Sequence, residues 1–165
     1  MKAALDSNVL IYAFDDSHDA ERKERRRRAN ILLEQLLDQN AIVIVPTVAL
    51  AEFLVPYRPA EHGQVIATLK DSFIFPPFDV HAAAIAAEVW SKHQSFAEED
   101  KIKKPFLKAD AMIVATAKAV GAEVIYSNDP GLRRLADAVH LSSRGLPTHA
   151  ENLFLDQRSR EERSD

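Results

Sequence analysis

Short apolar runs alternate with longer segments of helical spacing along the chain. The strand candidates are Lys2–Leu5, Ala41–Val45 and Glu123–Tyr126, with a weaker one at Ala138–Leu141. Each is rich in aliphatic or β-branched residues and is followed by polar residues, prolines or glycines that favour turns. Strands that alternate with helices predict an α/β fold with a parallel sheet covered by helices.

The helical segments are delimited by caps, prolines and glycines. A cap, a proline at a helix start or a glycine just past its end marks a boundary because each satisfies or removes free backbone groups. These signals predict helices over Ala20–Asn40, from Pro46-Thr47 to Pro56, over Glu61–Phe73, after Asp79, and from Pro105 to Gly121.

The remaining segments are polar. Residues 94–104, QSFAEEDKIKK, predict an exposed loop, and residues 156–165, DQRSREERSD, predict a disordered tail. We expect residues 1–155 to form a single domain, since 165 residues are enough for one sizeable core.

The composition excludes several classes of protein. There is no cysteine, which rules out disulfides and thiolate metal sites. No apolar run approaches the length of a membrane span, and the N-terminus MKAALDSN lacks the apolar core of a signal peptide. We therefore expect a cytoplasmic protein without a membrane partner.

Charge is concentrated in one segment. The net charge is −4, but residues 21–28, ERKERRRR, carry six positive and two negative side chains. Such a run is commonly a solvated helix face. It is also a local zone at which a phosphate backbone could be held.

Two aspartates follow strand candidates directly. Asp6 comes after the first strand, and Asp129, in IYSNDPG, comes after the third. Carboxyl ends of parallel strands meet at one edge of the sheet, where α/β proteins place their ligand sites. Either residue alone is explained equally well as a helix cap, and Pro130 strengthens that explanation for Asp129.

Two further acids lie on apolar helix faces. The neighbours of Glu52 and of Asp110 at three and four residues are all apolar. Both carboxylates therefore lie on or beside a face that packs toward the core. Burying an unpaired carboxylate costs on the order of several kcal/mol unless a cation or hydrogen-bond donors compensate it.

If these four acids converge, they require positive charge among them. Like charges raise one another's pKa sharply. With no cysteine, and with no histidine at ligand spacing to the acids, the fitting ion is a hard divalent cation, Mg²⁺ or Mn²⁺. The chemistry that follows is metal-assisted hydrolysis of a phosphodiester.

Segments around these acids resemble the PIN-domain family of nucleases. The matching pieces occur in order as LDSNVLIYAFD, VPTVALAEFL and LKADAMIVATAKAVGAEVIYSND. The resemblance implies a three-layer α/β/α sandwich with a central, mostly parallel sheet. It also implies a divalent metal and cleavage of single-stranded RNA. The chain's size is similar to that of VapC-like toxins of type II toxin–antitoxin pairs, which implies a homodimer and a small cognate antitoxin.

The resemblance also implies roles for individual residues. The family's acidic quartet, both catalytic and metal-binding, falls on Asp6, Glu52, Asp110 and Asp129. Ser127 matches a supporting hydroxyl, and Asn8 matches a polar residue that would orient water or phosphate. Candidate RNA contacts are the basic residues Arg22, Lys23, Arg25–Arg28, Lys108, Arg133 and Arg134.

Three other functions fit part of the sequence. A stand-alone RNA-processing nuclease would have the same site without being a toxin. A haloacid-dehalogenase-type phosphatase also has an aspartate after its first strand, but its Asp-x-Asp motif is absent because position 8 is Asn. A non-catalytic RNA- or protein-binding module is the third alternative, since a fold does not fix a function.

Overall fold

A four-stranded parallel sheet forms the centre of the molecule. The structure is a computed structural model that describes residues 1–93 and 104–148. The strands are β1 (Lys2–Leu5), β2 (Ile42–Ile44), β3 (Val124–Tyr126) and β4 (Ser142–Arg144), in the order β2-β1-β3-β4. Every pairing is parallel, with Ala4 opposite Ile44 on one side and Ile125 on the other.

Helices cover both faces of this sheet and give a three-layer α/β/α fold, as predicted. The strands are short, at three to four residues each, so most of the residues in regular secondary structure are helical. Within the described ranges the helices are α1 (Ser7–Ala13), α2 (Ala20–Asp38), α3 (Thr47–Leu54), α4 (His62–Lys70), α5 (Val80–His93), α6 (Lys104–Ala119) and α7 (Pro130–Ala138), with a 3₁₀ turn at Pro59–Glu61.

The core lies between the central strands and the inner faces of the helices. Ala3, Ala4 and Leu5 of β1 are fully buried, as is Ile125 of β3. Strands buried on both faces are expected to be almost continuously apolar, and these are. The small alanines of β1 let the helices approach the sheet closely.

The predicted elements are largely confirmed. The three strong strand candidates are strands, and the segment after Asp6, which the sequence left unassigned, is α1. The weak candidate at Ala138–Leu141 was wrong. Its buried Val139 and Leu141 alternate as in a strand. However, α7 extends through Ala138, and His140, at φ 53°, turns the chain before β4 begins.

Some predictions fall outside the described residues. The predicted loop at 94–104 lies outside them except for Lys104, which begins α6, and the predicted tail at 156–165 lies entirely outside. Within residues 1–93 and 104–148, no helix is long and apolar enough to cross a membrane.

The strand order creates a crevice at the carboxyl edge of the sheet. From β1 the chain crosses to β2 on one side, whereas from β3 it crosses to β4 on the other. Open α/β sheets bind ligands at such a reversal of strand order, outside the carboxyl ends of the strands. The crevice between β1 and β3 is therefore where a ligand site is expected.

Candidate active site

Asp6 occupies the end of β1 beside this crevice and is 4 % exposed. It caps α1, since its Oδ1 accepts from the backbone N–H of Ser7 at 2.7 Å. The Ser7 hydroxyl donates to the same oxygen at 3.3 Å, a contact that the sequence analysis missed although a hydroxyl beside the aspartate was the signal. Asp6 is thus both a helix cap and a buried carboxylate at the predicted edge.

Ser127, which is fully buried, joins the ends of the two central strands. Its hydroxyl donates to Asp6 Oδ2 at 2.7 Å and accepts from the backbone N–H of Asp129 at 2.9 Å. The backbone N–H of Asp6 donates to the carbonyl of Tyr126, the last residue of β3. These contacts fix the turn after β3 against Asp6.

Asn8 has a second set of contacts at the same point. Its Nδ2 donates to Asp6 Oδ2 at 2.5 Å and to the Ser127 hydroxyl at 3.1 Å. Its Oδ1 accepts from the backbone N–H of Asn128 at 3.1 Å. Both amide hydrogens are used within the protein, so the structure favours a positioning role for Asn8 over the predicted contact with water or phosphate.

The remaining three acids stand around Asp6 on separate elements. Asp129 is exposed and caps α7, with Oδ1 accepting from the backbone N–H of Gly131 at 2.6 Å. Glu52 on α3 and Asp110 on α6 are partly buried. Within the described residues, Asp110 has no hydrogen-bond donor, unlike Asp6.

Electrostatics place the four acids within range of one another. Burial raises the pKa of Asp6 to about 6, and the charge of Glu52 adds to the effect, while the bonds from Ser127 and Ser7 oppose it. Burial also raises the pKa of Asp110 to about 7, with further increases from the negative charges of Asp6, Asp129 and Glu52. Asp110 therefore lies within electrostatic range of the other three acids.

The donor chemistry of this cluster fits a hard divalent cation. All four side chains offer carboxylate oxygens, the ligands that hard divalent cations prefer, and burial raises the pKa of Asp6 and of Asp110. Within residues 1–93 and 104–148, no three histidine, cysteine or acidic side chains lie close enough to bind an ion jointly. A Mg²⁺ ion at this point would therefore be held by only one or two of these carboxylates, with water and substrate phosphates completing its shell.

The comparison with protein families decides between the folds that could build such a site. Residues 3–138 match the model of the PIN domain. The chain belongs to the PIN domain family. The match spans β1 through α7, so all four acids of the cluster lie inside this PIN domain.

Solved structures with the same fold share little sequence with this PIN domain. A chain of VapBC2 from Rickettsia felis, bound to a DNA fragment from its promoter, has a TM-score of 0.64 at 15% identity, over 89% of this chain and 100% of that one. A chain of VapBC-1 from nontypeable Haemophilus influenzae has a TM-score of 0.61 at 14% identity, over 88% of this chain and 98% of that one. A chain of DNA-bound VapBC from Salmonella typhimurium has a TM-score of 0.56 at 16% identity, over 89% of this chain and 99% of that one. Curated proteins gave no match.

The basic residues predicted to contact RNA occupy three places in the PIN domain. Arg22, Lys23, Arg25 and Arg26 lie on the first turns of α2, outside the acidic cluster. Lys108 on α6 lies over the ring of Trp90 on α5, with Nζ 5.2 Å from the ring centroid.

Arg133 and Arg28 donate hydrogen bonds to backbone carbonyls. Arg133 of α7 donates to the carbonyl of Ser127 at 3.1 Å and supports the turn that carries Asp129. Arg28 of α2 donates to the carbonyls of Leu146 and Pro147, each at 2.7 Å. The structure therefore gives both arginines scaffold contacts that a linear run of charge did not reveal.

Proposed function

We propose that this PIN domain is a Mg²⁺- or Mn²⁺-dependent endoribonuclease that cleaves phosphodiesters of single-stranded RNA and acts as the toxin of a toxin–antitoxin pair. The observation that carries the proposal is the cluster of Asp6, Glu52, Asp110 and Asp129. Its members belong to four separate elements, and the support for the proposal is that the charges of the other three acids act on Asp110 and the charge of Glu52 acts on Asp6. We assign the activity to a single domain, residues 1–155, within which the family match lies.

In this proposal the chain's own residues build a rigid acceptor for a cation and a phosphate. Asp6 is the most constrained acid, because Ser7, Asn8 and Ser127 orient both of its oxygens. Glu52, Asp110 and Asp129 are the other carboxylates from which a further ligand to the ion would come. When bound, Mg²⁺ supplies activation of the attacking water and neutralisation of charge on the phosphate.

We place the protein in the cytoplasm as a homodimer restrained by a small antitoxin. The support is the fold shared with VapBC complexes from three bacteria and the resemblance of the sequence to VapC-like toxins. An antitoxin that placed a basic side chain in the crevice would also compensate the negative charge of the acids there.

The purified chain is expected to cut a single-stranded RNA oligonucleotide in Mg²⁺ or Mn²⁺ and to lose this activity in EDTA. Product lengths on a denaturing gel measure the reaction, and duplex RNA and single-stranded DNA serve as comparison substrates. Expression of the wild type, but not of Asp6→Asn, should arrest growth. An active enzyme that leaves growth unchanged would favour an RNA-processing role, and an inactive one in all ions would refute the nuclease.

Asn8→Ala is expected to lower RNA cleavage about 10- to 100-fold, the range seen when a side chain that orients a metal ligand is removed. The loss should be in kcat and in the affinity for Mg²⁺, with the KM for RNA unchanged, because the Asn8 amide bonds to the protein itself. Asn128→Ala is the matched control, since only the backbone of Asn128 contacts Asn8. A loss confined to KM would instead indicate that Asn8 binds RNA.

A further inference from the structure

The first half of α2 projects beyond the carboxyl edge of the sheet. The helix has 19 residues, a length of about 28 Å. Its C-terminal end lies near the amino edge, where β2 starts beside Met1. Arg28 contacts the carbonyls that directly follow β4, and so marks the level of the carboxyl edge.

Burial along α2 agrees with this placement. Its buried residues are Ala29, Leu32 and Leu36, and none of Ala20–Arg28 is buried. The basic turns therefore extend past the core at the same edge of the sheet as the four acids. We call residues 20–27 the α2 overhang.

The α2 overhang has two chemically different sides. On one side, Arg22 lies 3.9 Å from Asp15, and the Arg25 guanidinium lies over Tyr12, 5.4 Å from the ring centroid. These arginines face α1 and the segment that links it to α2. Arg25 also pairs with Glu21 on its own helix.

The other side forms an open groove of about 520 Å³, lined by Lys23, Arg26, Arg27, Asn30, Ile31 and Glu34. Spacings of three and four residues place these side chains on one face of the helix. The groove thus presents three cations and an amide in succession, with a single acid at its far end.

The ion pairs within the groove are easily exchanged. Arg26 lies 3.5 Å from Asp16, whose side chain is 94 % exposed, and Arg27 lies 3.7 Å from Glu24. Exposed pairs of this kind contribute little, so a phosphate can replace the carboxylate at small cost.

We propose that Lys23, Arg26 and Arg27 bind the phosphates of the single-stranded RNA that extends from the acidic cluster. The proposal rests on the ribonuclease function proposed above. Outside residues 21–28 the chain carries a net charge of −8, so a polyanion at the carboxyl edge is repelled by most of the surface. The α2 overhang offers the compensating positive charge at that edge.

The test is a comparison of three charge-matched double variants of the full chain, each combined with Asp6→Asn so that RNA stays intact. Arg26→Gln/Arg27→Gln removes the groove cations, and Arg22→Gln/Arg25→Gln removes cations from the other side of the same helix. Arg58→Gln/Lys70→Gln removes two from elsewhere. Binding of a fluorescent single-stranded RNA is measured by anisotropy at constant Mg²⁺ while KCl is varied.

In Arg26→Gln/Arg27→Gln, the plot of log K for RNA binding against log[KCl] should be less steep by about 1.4. Each phosphate contact to a single strand contributes about 0.7 to this slope, and the variant loses two such contacts. This corresponds to an affinity about 25-fold weaker at about 0.1 M salt. The Arg22/Arg25 variant should lose clearly less, and the Arg58/Lys70 variant should bind as the parent does.

The proposal would be overturned if the Arg22/Arg25 and Arg26/Arg27 variants lost RNA affinity equally. It would also be overturned if the salt slope of the Arg26/Arg27 variant were unchanged, or if the Asp6→Asn parent bound no RNA. Poly-L-glutamate binding that depends on Arg26 and Arg27 while RNA binding does not would overturn it as well, since the groove would then suit an acidic protein. If the Asp6→Asn variants bind RNA in the expected pattern while the chain with its native Asp6 cuts no RNA, the proposed nuclease function is refuted and the proposed RNA site on α2 is not.

Discussion

Asp110→Asn is expected to reduce RNA cleavage about 100- to 1000-fold, a loss typical of removing one electrostatic group from a preorganised site. At the same time, this variant should be more stable than the wild type in EDTA at pH 8. Burial and three neighbouring acids raise the pKa of Asp110 to about 7, so its ionised form is unfavourable in the folded protein. A neutral amide removes that cost, and we expect a gain of about 1–2 kcal/mol after allowance for its partial exposure.

Asp71→Asn, on an exposed residue at the end of α4, is the matched control and should change neither property. Initial cleavage rates and the free energy of unfolding in urea provide the two readouts. Wild-type cleavage by Asp110→Asn would remove this residue from the site. A lower stability in EDTA would mean that the carboxylate is compensated in the free protein.

The same substitution at Asp6 should gain less stability. Its carboxylate accepts bonds from Ser7, Asn8 and Ser127, so the NH₂ group of an asparagine would have to face one of these donors. Relief of desolvation and loss of hydrogen bonding then oppose each other. Stability therefore distinguishes two acids that have the same proposed role.

The second large effect is a loss of stability in EDTA as pH rises from about 4 to 7. The folded-state pKa values of Asp6 and Asp110 exceed the usual 3.8, so the folded protein binds more protons than the unfolded chain in this window. The free energy of unfolding falls with rising pH wherever the folded protein binds more protons than the unfolded chain. The shift of Asp6 alone corresponds to about 3 kcal/mol over its whole range, of which about 1.4 kcal/mol falls between pH 5 and pH 8, and Asp110 adds to this loss.

Chemical unfolding at pH 5 and pH 8 measures this effect, with and without Mg²⁺. The cation should restore stability at pH 8 more than at pH 5, because it favours the ionised carboxylates. Asp15, Glu61 and Glu88 have lowered pKa values and act in the opposite direction below about pH 5, which is why the comparison is made between pH 5 and pH 8. Equal stability at both pH values in EDTA would contradict the repulsion on which the metal site depends.

The sheet could be predicted from the sequence because its strands carry their own signals. Lys2–Leu5, Ile42–Ile44 and Val124–Tyr126 are apolar runs that end in polar or turn-forming residues. Segment boundaries were less certain where burial and helix capping compete, as between α7 and β4. There, the alternating Val139 and Leu141 suggested a strand, although the buried leucines of α7 hold the preceding residues in a helix.

The candidate site could also be predicted only in part from the sequence. The acids could be selected from the sequence because a carboxylate is costly at a strand end or on an apolar helix face. The contacts of Asn8 could not, since its partners Ser127 and Asn128 are 119 and 120 residues away. The basic segment was one run of charge in the sequence, whereas the fold turns Arg25 toward Tyr12 and Lys23 toward the groove.

The hydrogen bond from Ser127 to Asp6 spans 121 residues of sequence. A nascent chain on the ribosome therefore contains Asp6, Asn8 and Glu52 long before it contains the turn that orients them. Premature termination before Val124 leaves a fragment without β3 and therefore without the pairing of β1 and β3. Synthesis of the protein is thus separated in time from the appearance of its proposed activity, and truncated products are expected to lack that activity.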